Sequence, residues 1–300
     1  MQKALSNWTE KRGYRIVFGG RAVLNDVKAE IENRKDAGEL DESLYRDYLA
    51  DFPYGGGEEN SDLKSVILIA MPRPAHRLLF DTQGGPLEAI VPPTYISYRQ
   101  TADVIREEIS ALLGAGARLA PLNAPLKPLA AKLGLTKYGR NNIAYVPGIG
   151  SFHQLIGLLA NLEMGSDYQA LSYSGLPACE NCRACLEACP TGAITEERFL
   201  LHAERCLTWH NEIAGDWPGW LPASAHHCLV GCLRCQLVCP QNQGGLRYES
   251  LDICFDARET DLILSSQCEN DEGIKAKLTK IGLAGYAPVL GRNLEALLNR

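Results

Sequence analysis

The sequence predicts an α+β chain in which a mixed body carries a small cysteine-rich module. Three observations predict this. Residues 65–71, SVILIAM, form a short continuous apolar run ending at Pro72, as a strand covered on both faces does. Residues 102–113 put Val104, Ile105, Ile109, Leu112 and Leu113 on one helical face, and Gly114 and Gly116 close that helix. Residues 179–240 then hold nine of the eleven cysteines, in two runs that resemble each other.

A chain of 300 residues exceeds one average domain, and 46% hydrophobic with 22% charged residues is enough to bury a core. The expected division is an α/β body over 1–170, with a helical entry region over 1–60, a metal-binding module over 171–245, and a tail over 246–300 that packs back on the body. A net charge of -6 and a pI near 5.6 argue against nucleic acid as the dominant partner. The opening residues, MQKALSNWTEKRGYRIVFGG, show no long apolar run, twin arginine or small-residue cleavage site. No segment approaches the roughly 20 apolar residues of a spanning helix. The expectation is a cytoplasmic chain without a membrane partner. In that reducing compartment an odd number of cysteines concentrated in one stretch reads as metal ligands before disulfides.

Along the body, residues 14–18 suit a short strand, and 21–34 an amphipathic helix with Val23, Val27 and Ile31 inward. Residues 53–57, PYGGG, lack the lysine and hydroxyl residue of a phosphate-binding loop and read as a connection. Residues 89–91 and 95–98 suit edge strands, 126–133 a helix, 142–146 a strand and 293–298 a helix. Residues 151–164 fit strand and helix equally.

The cysteine runs carry the chemistry. Each ends C-x2-C-x3-C-P, at Cys182, Cys185, Cys189, Pro190 and again at Cys232, Cys235, Cys239, Pro240. In two-cluster ferredoxin arrangements three cysteines of one run hold one 4Fe-4S cubane and the cysteine before proline reaches the other. On that pattern Cys179, Cys182, Cys185 and Cys239 hold one cluster. Cys189, Cys232 and Cys235 supply three ligands of the second, with Cys206 and Cys228 competing for the fourth place. Zinc on the pairs 179/182 and 232/235 is the alternative, but it leaves Cys185, Cys189, Cys206 and Cys239 unused. Cys228, Cys232 and Cys235 also fit a radical-SAM spacing, against which stands the further Cys-Pro that follows. Cys254 and Cys268 are expected as buried free thiols, and His226 and His227 as a polar loop. Two clusters in one module mean electron transfer from an external low-potential donor.

The segments CENCRACLEACPTGAI, RCLTW and GCLRCQLVCPQN resemble the iron-sulfur module of the epoxyqueuosine reductase family, whose relatives include the reductive dehalogenases. Upstream, GLTKYGRN over 134–141, then Pro147, Gly150, Ser151, Phe152 and Gly157, is similar to that family's Gly-Leu-Gly-Trp-x-Gly-Lys-Asn segment and Gly-Ser-Trp/Phe turn. The matched segments run over roughly residues 95–243; residues 1–60 and the tail match nothing in it. The resemblance implies cobalamin held base-off between a nitroreductase-like body and the ferredoxin-like module, with electrons passing from the clusters to cobalt. It implies that Gly139, Arg140, Asn141, Gly150 and Ser151 line the corrin, with Arg140 beside the tail phosphate or the corrin amides. It also favours Cys206 over Cys228.

One departure bears on the reaction. The family's Asp-Ser-Ala-Pro run supplies a proton from its aspartate, and here residues 121–125 read PLNAP, with Leu122 at that place. Epoxyqueuosine is therefore not the expected substrate, and proton donation falls to Tyr138, Tyr145 or His153. The expected function is a cobalamin-dependent iron-sulfur reductase of an unidentified small organic substrate. The alternatives are a redox partner that handles a corrinoid for another corrinoid protein, and a plain two-cluster electron carrier.

Overall fold

A computed structural model describes residues 1–165, 175–242 and 244–299. Among them the strands are β1 (Arg15–Gly20), β2 (Ser65–Pro72), β3 (Ala75–Thr82), β4 (Gly85–Val91), β5 (Leu119–Pro121), β6 (Lys137–Tyr138), β7 (Ala144–Tyr145), β8 (His153–Ala160) and β9 (Tyr248–Phe255). No described helix is long and apolar enough to cross a membrane.

The chain forms two compact units that interleave in sequence. The first takes residues 1–72, 100–183 and 196–200, the second 73–99, 184–195 and 201–299. This differs from the consecutive division expected above. The expected boundary at 170/171 lies outside the described residues, and the residues after 245 share a unit with 184–195, with the second cysteine run and with 73–99.

The first unit is built on an antiparallel sheet in the order β1-β2-β8-β5. β2 is apolar throughout because both its faces are covered. Val66, Leu68 and Ala70 pack with the helices Val23–Asp36 and Leu126–Lys132, while Ile67, Ile69 and Met71 pack with Gln2–Lys11 and Tyr98–Leu113. β8 resolves the ambiguous stretch 151–164 for the same reason: it pairs with β2 along its whole length and is buried at every residue. The helix Tyr98–Leu113 begins where an edge strand over 95–98 was expected, and it buries Ile105 and Ile109 but leaves Val104 and Leu112 exposed. The apolar face is thus narrower than its sequence. The strand expected over 142–146 is reduced to β7, which pairs only with β6.

The second unit holds a three-stranded sheet, β4-β3-β9, with β3 antiparallel to β4 and parallel to β9. Phe80 and Phe255 stack at 5.0 Å between centroids. Leu78, Phe80, Ala89 and Val91 share one core with Leu229 and Val230 of the second cysteine run and with the helices Ala257–Leu264, Glu272–Ile281 and Ala287–Leu298. The helix Ala257–Leu264 starts with a capping box between Asp256 and Glu259. The helix Ala287–Leu298 approaches it through Gly291, where a Cβ would be driven into the carbonyl oxygen of Ile263. Carbonyls of a helix cannot move aside as a side chain can. Gly291→Ala is therefore expected to cost about 3 kcal/mol, read as a lower urea midpoint at unchanged slope.

Candidate iron-sulfur site

The first unit presents the start of the first cysteine run. β6 and β7 form a small hairpin, and the amide N–H of Leu176 donates to the Tyr138 carbonyl at 2.8 Å. This fixes the approach to a short 3-10 turn, Pro177–Cys179, after which the Cys182 N–H donates to the Cys179 carbonyl. Arg140 completes the attachment. Its Nη2 donates to the carbonyls of Cys179 (2.6 Å) and Glu180 (3.4 Å), and its Nε to that of Cys182 (3.1 Å). Arg140 was expected at a corrinoid phosphate or amide; the structure commits its guanidinium fork to the Cys179 loop.

The other corrin-lining residues are committed as well. A Cβ at Gly139 would lie 2.6 Å from the Tyr145 ring and 2.7 Å from Asn141 Oδ1, so the absence of a side chain there makes room for neighbours of its own hairpin. Asn141 is buried; its Nδ2 donates to the Tyr145 hydroxyl at 2.9 Å and its Oδ1 accepts from the Ile143 N–H. Gly150 exchanges backbone hydrogen bonds with Val146, and Ser151 beside it is buried. The side chain of Asn141 and the backbone of Gly150 thus bond within the hairpin and the turn after it rather than being presented to a cofactor.

The three expected proton donors are also buried. Tyr138 packs edge-on against Phe199 at 5.3 Å, with the Arg34 guanidinium on Phe199, and burial raises its phenol above the ordinary range. Tyr145 uses its hydroxyl to receive Asn141. His153 lies on β8 with Nδ1 3.1 Å from the Gly150 carbonyl, which places the ring proton on Nδ1. Burial lowers its pKa to about 4, so the ring is neutral near pH 7. Burial thus favours the neutral forms of Tyr138 and His153 near pH 7. Leu122, where the resemblance implies the family's aspartate, is a core residue whose N–H donates to the Gly157 carbonyl and whose side chain covers Gly157.

The second unit presents the remaining cysteines expected as cluster ligands, Cys185, Cys189, Cys206, Cys232, Cys235 and Cys239. The two runs form matching one-turn helices, Ala184–Glu187 and Arg234–Leu237, which pack against each other. All eleven cysteines are free thiols. Burial pushes the Cys232 thiol up to about 12, and Cys206 and Cys189 add to that rise. Burial likewise raises Cys206, with Cys189 adding. For Cys189 burial acts upward too, but the Thr191 hydroxyl and the N–H groups of Thr191, Ala193 and Ile194 outweigh it and hold the thiol below its usual value. These three thiols are thus within electrostatic reach of one another. Cys206 and Cys232 resist ionisation while Cys189 is eased toward the thiolate, and bound iron, whose charge favours thiolates, would reverse the penalty on the first two.

Cys228 is buried two residues before Val230 and lies in the electrostatic surroundings of Tyr95. Cys254, expected buried, is exposed, while Cys268 is buried with Sγ 3.6 Å from the Ala287 carbonyl. His227 is more than part of a polar loop. Its Nε2 accepts the Leu233 N–H at 3.0 Å and its Nδ1 donates to the Ala225 carbonyl, so a neutral imidazole braces the second run. Arg205 donates to the Thr191 carbonyl at 3.1 Å, bracing the turn after Cys189.

The sequence reading missed the contribution of the last helix. Asn293 Nδ2 donates to the carbonyls of Asn211 and Leu229, both at 2.8 Å, and Asn211 Nδ2 to that of Gly231 at 2.7 Å. Arg292 stacks on Trp217 at 3.8 Å and donates to the carbonyls of His210 (2.7 Å) and Ile213 (3.0 Å). These bonds hold the chain that follows Cys206 and precedes Cys232. The available signal was an arginine and an asparagine interrupting the apolar repeat of a C-terminal helix.

Residues 178–242, which contain all eight expected ligands, match the family model of a 4Fe-4S double cluster binding domain. The chain is also similar in sequence to curated epoxyqueuosine reductases. It is 37% identical to that of Synechococcus sp. (strain RCC307) over 123 residues, 40% of this chain and 36% of the relative. It is 33% identical to that of Shewanella oneidensis over 150 residues, 48% of this chain and 37% of the relative. The matched regions thus span well under half the length of either relative. The fold is that of the epoxyqueuosine reductase from Bacillus subtilis, at a TM-score of 0.67 and 20% identity over 99% of this chain and 80% of that one. The enzyme from Streptococcus thermophilus gives a TM-score of 0.67 at 19% identity over the same shares.

Proposed function

We propose that this protein is an iron-sulfur oxidoreductase. Two 4Fe-4S clusters receive single electrons from an external low-potential donor and deliver them to an acceptor bound by the α/β body. Cys179, Cys182, Cys185 and Cys239 hold one cluster, and Cys189, Cys206, Cys232 and Cys235 the other. The observation that carries this is the double-cluster domain over 178–242, within which Cys189, Cys206 and Cys232 lie in electrostatic reach of one another. The protein's own part is to bury the thiolates, hold their loops by Arg140, Arg205, His227 and Asn293, and fix the clusters for electron transfer.

The acceptor implied by the family resemblance is a corrinoid; of the residues carried over for it, Arg140 and Asn141 bond within the chain instead. Leu122 in the core, with Tyr138, Tyr145 and His153 buried, supports an acceptor other than epoxyqueuosine, or one reduced without a proton from these groups. The same observation favours a second reading, in which the chain passes electrons to a corrinoid held by a partner protein. Anaerobic reconstitution is expected to give about eight iron and eight sulfide per chain, and far fewer would remove the proposal. Adding cobalamin then separates the readings. Retention through gel filtration with an altered cobalt spectrum supports a resident corrinoid, and its absence, with electron transfer to a corrinoid protein, supports the second.

A further inference from the structure

The GLTKYGRN segment has a use that its expected corrin-lining role does not cover. It holds the loop that carries the first two cluster cysteines. We propose that Arg140 is a positioning residue of the first cluster, which fixes the Cys179 loop through three carbonyls and raises that cluster's reduction potential through its charge. The proposal rests on the two-cluster reading above.

The geometry supports both parts. A trans peptide sets each carbonyl antiparallel to the N–H of the next residue. Drawing the carbonyls of Glu180 and Cys182 toward the guanidinium therefore turns the N–H groups of Asn181 and Arg183 to the opposite side of the loop. Cluster potentials depend on hydrogen bonds to sulfur and on nearby charge, and one side chain controls both here. The charge is permanent, since a guanidinium stays protonated at any working pH. Arg183, the other cation of this stretch, is paired with Glu196 at 2.9 Å. Arg140 by contrast is half-buried and, among the described residues, donates only to main-chain carbonyls, whose dipoles orient it without cancelling its charge. Reduction adds one negative charge to the cluster, and a fixed cation beside the ligand loop favours the reduced form.

The test is an EPR-monitored redox titration of the full chain, reconstituted anaerobically, with iron and sulfide counted on each sample. Arg140→Gln is expected to make reduction of one of the two clusters about tenfold less favourable, about 59 mV for a one-electron couple. Arg140→Lys is expected to stay within about twofold of the parent, because it keeps the charge. Equal midpoints for the parent and Arg140→Gln, with full iron in both, would overturn the proposal. So would equal downward shifts in both variants. Should Arg140→Gln lose the cluster, the lysine variant decides: full iron at the parent midpoint supports the charge, and loss of iron there assigns Arg140 to loop geometry alone. Failure of the unmodified chain to take up iron and sulfide would instead count against the two-cluster reading, independently of Arg140.

Discussion

Cys206→Ala is expected to halve the iron of the reconstituted chain, from about eight to about four per molecule, and to abolish electron transfer through the second cluster. Cys206 lies alone in sequence, 17 residues beyond Cys189 and 26 before Cys232 by their numbering, yet the fold brings the three within electrostatic reach. Removing one of four thiolates leaves an iron without its protein ligand, and of the three that remain Cys232 lies in surroundings that favour the thiol. Cys228→Ala is the informative contrast. That thiol is buried in the core beside Leu229 and Val230, so its loss is expected to cost about 1 kcal/mol of stability while iron and sulfide stay at the parent level. Iron analysis and EPR on both variants check the assignment. Two intact clusters in Cys206→Ala, with one lost in Cys228→Ala, would exchange their roles.

Acid is expected to weaken the first unit through His153. The ring is held neutral by burial, with a pKa of about 4 against an ordinary value of 6.5. The unfolded chain therefore binds a proton between these values that the folded chain refuses. The stability associated with neutral His153 is fully present above pH 6.5 and is lost as pH falls toward 4, below which both states are protonated. Between pH 7 and pH 4.5 the loss amounts to about 2 to 3 kcal/mol. Carboxylates titrate over part of the same range, so the measurement is a difference. Urea unfolding of the parent and His153→Leu at both pH values should show a pH dependence smaller by that amount in the variant. Equal pH dependence in the two would show that His153 is not held neutral in the fold.

Much of the architecture is legible in local pattern. The run SVILIAM reads as a strand because a central strand covered on both faces has no polar side to show. The helix over 102–113 is legible from its period, but its buried face is narrower than its apolar residues suggest, because Val104 and Leu112 are exposed while Ile105 and Ile109 are buried against the sheet. β3 and β9 are not legible locally, although Gly84 and Gly85 mark the hairpin turn to β4, since β3 mixes Arg77 and Asp81 with its apolar residues. The pairing of β3 with β9 joins residues about 170 apart in sequence, a contact that no local pattern encodes.

By itself the sequence determined the chemistry of the cysteines. Ligand type and loop spacing are properties of a few consecutive residues, and two C-x2-C-x3-C-P runs suit cubane clusters whatever surrounds them. Only the tertiary structure decided what the neighbouring polar residues do. Arg140, Asn141, Tyr145 and His153 were eligible as cofactor or proton-transfer groups by residue type. Their roles turned on which partner each met on burial: the Cys179 loop for Arg140, each other for Asn141 and Tyr145, the Gly150 carbonyl for His153. A buried polar group takes the nearest hydrogen-bonding partner the fold supplies, and that partner is set by contacts distant in sequence. The same holds for Arg292 and Asn293, which reach from the final helix to brace the chain around Cys206 and Cys232.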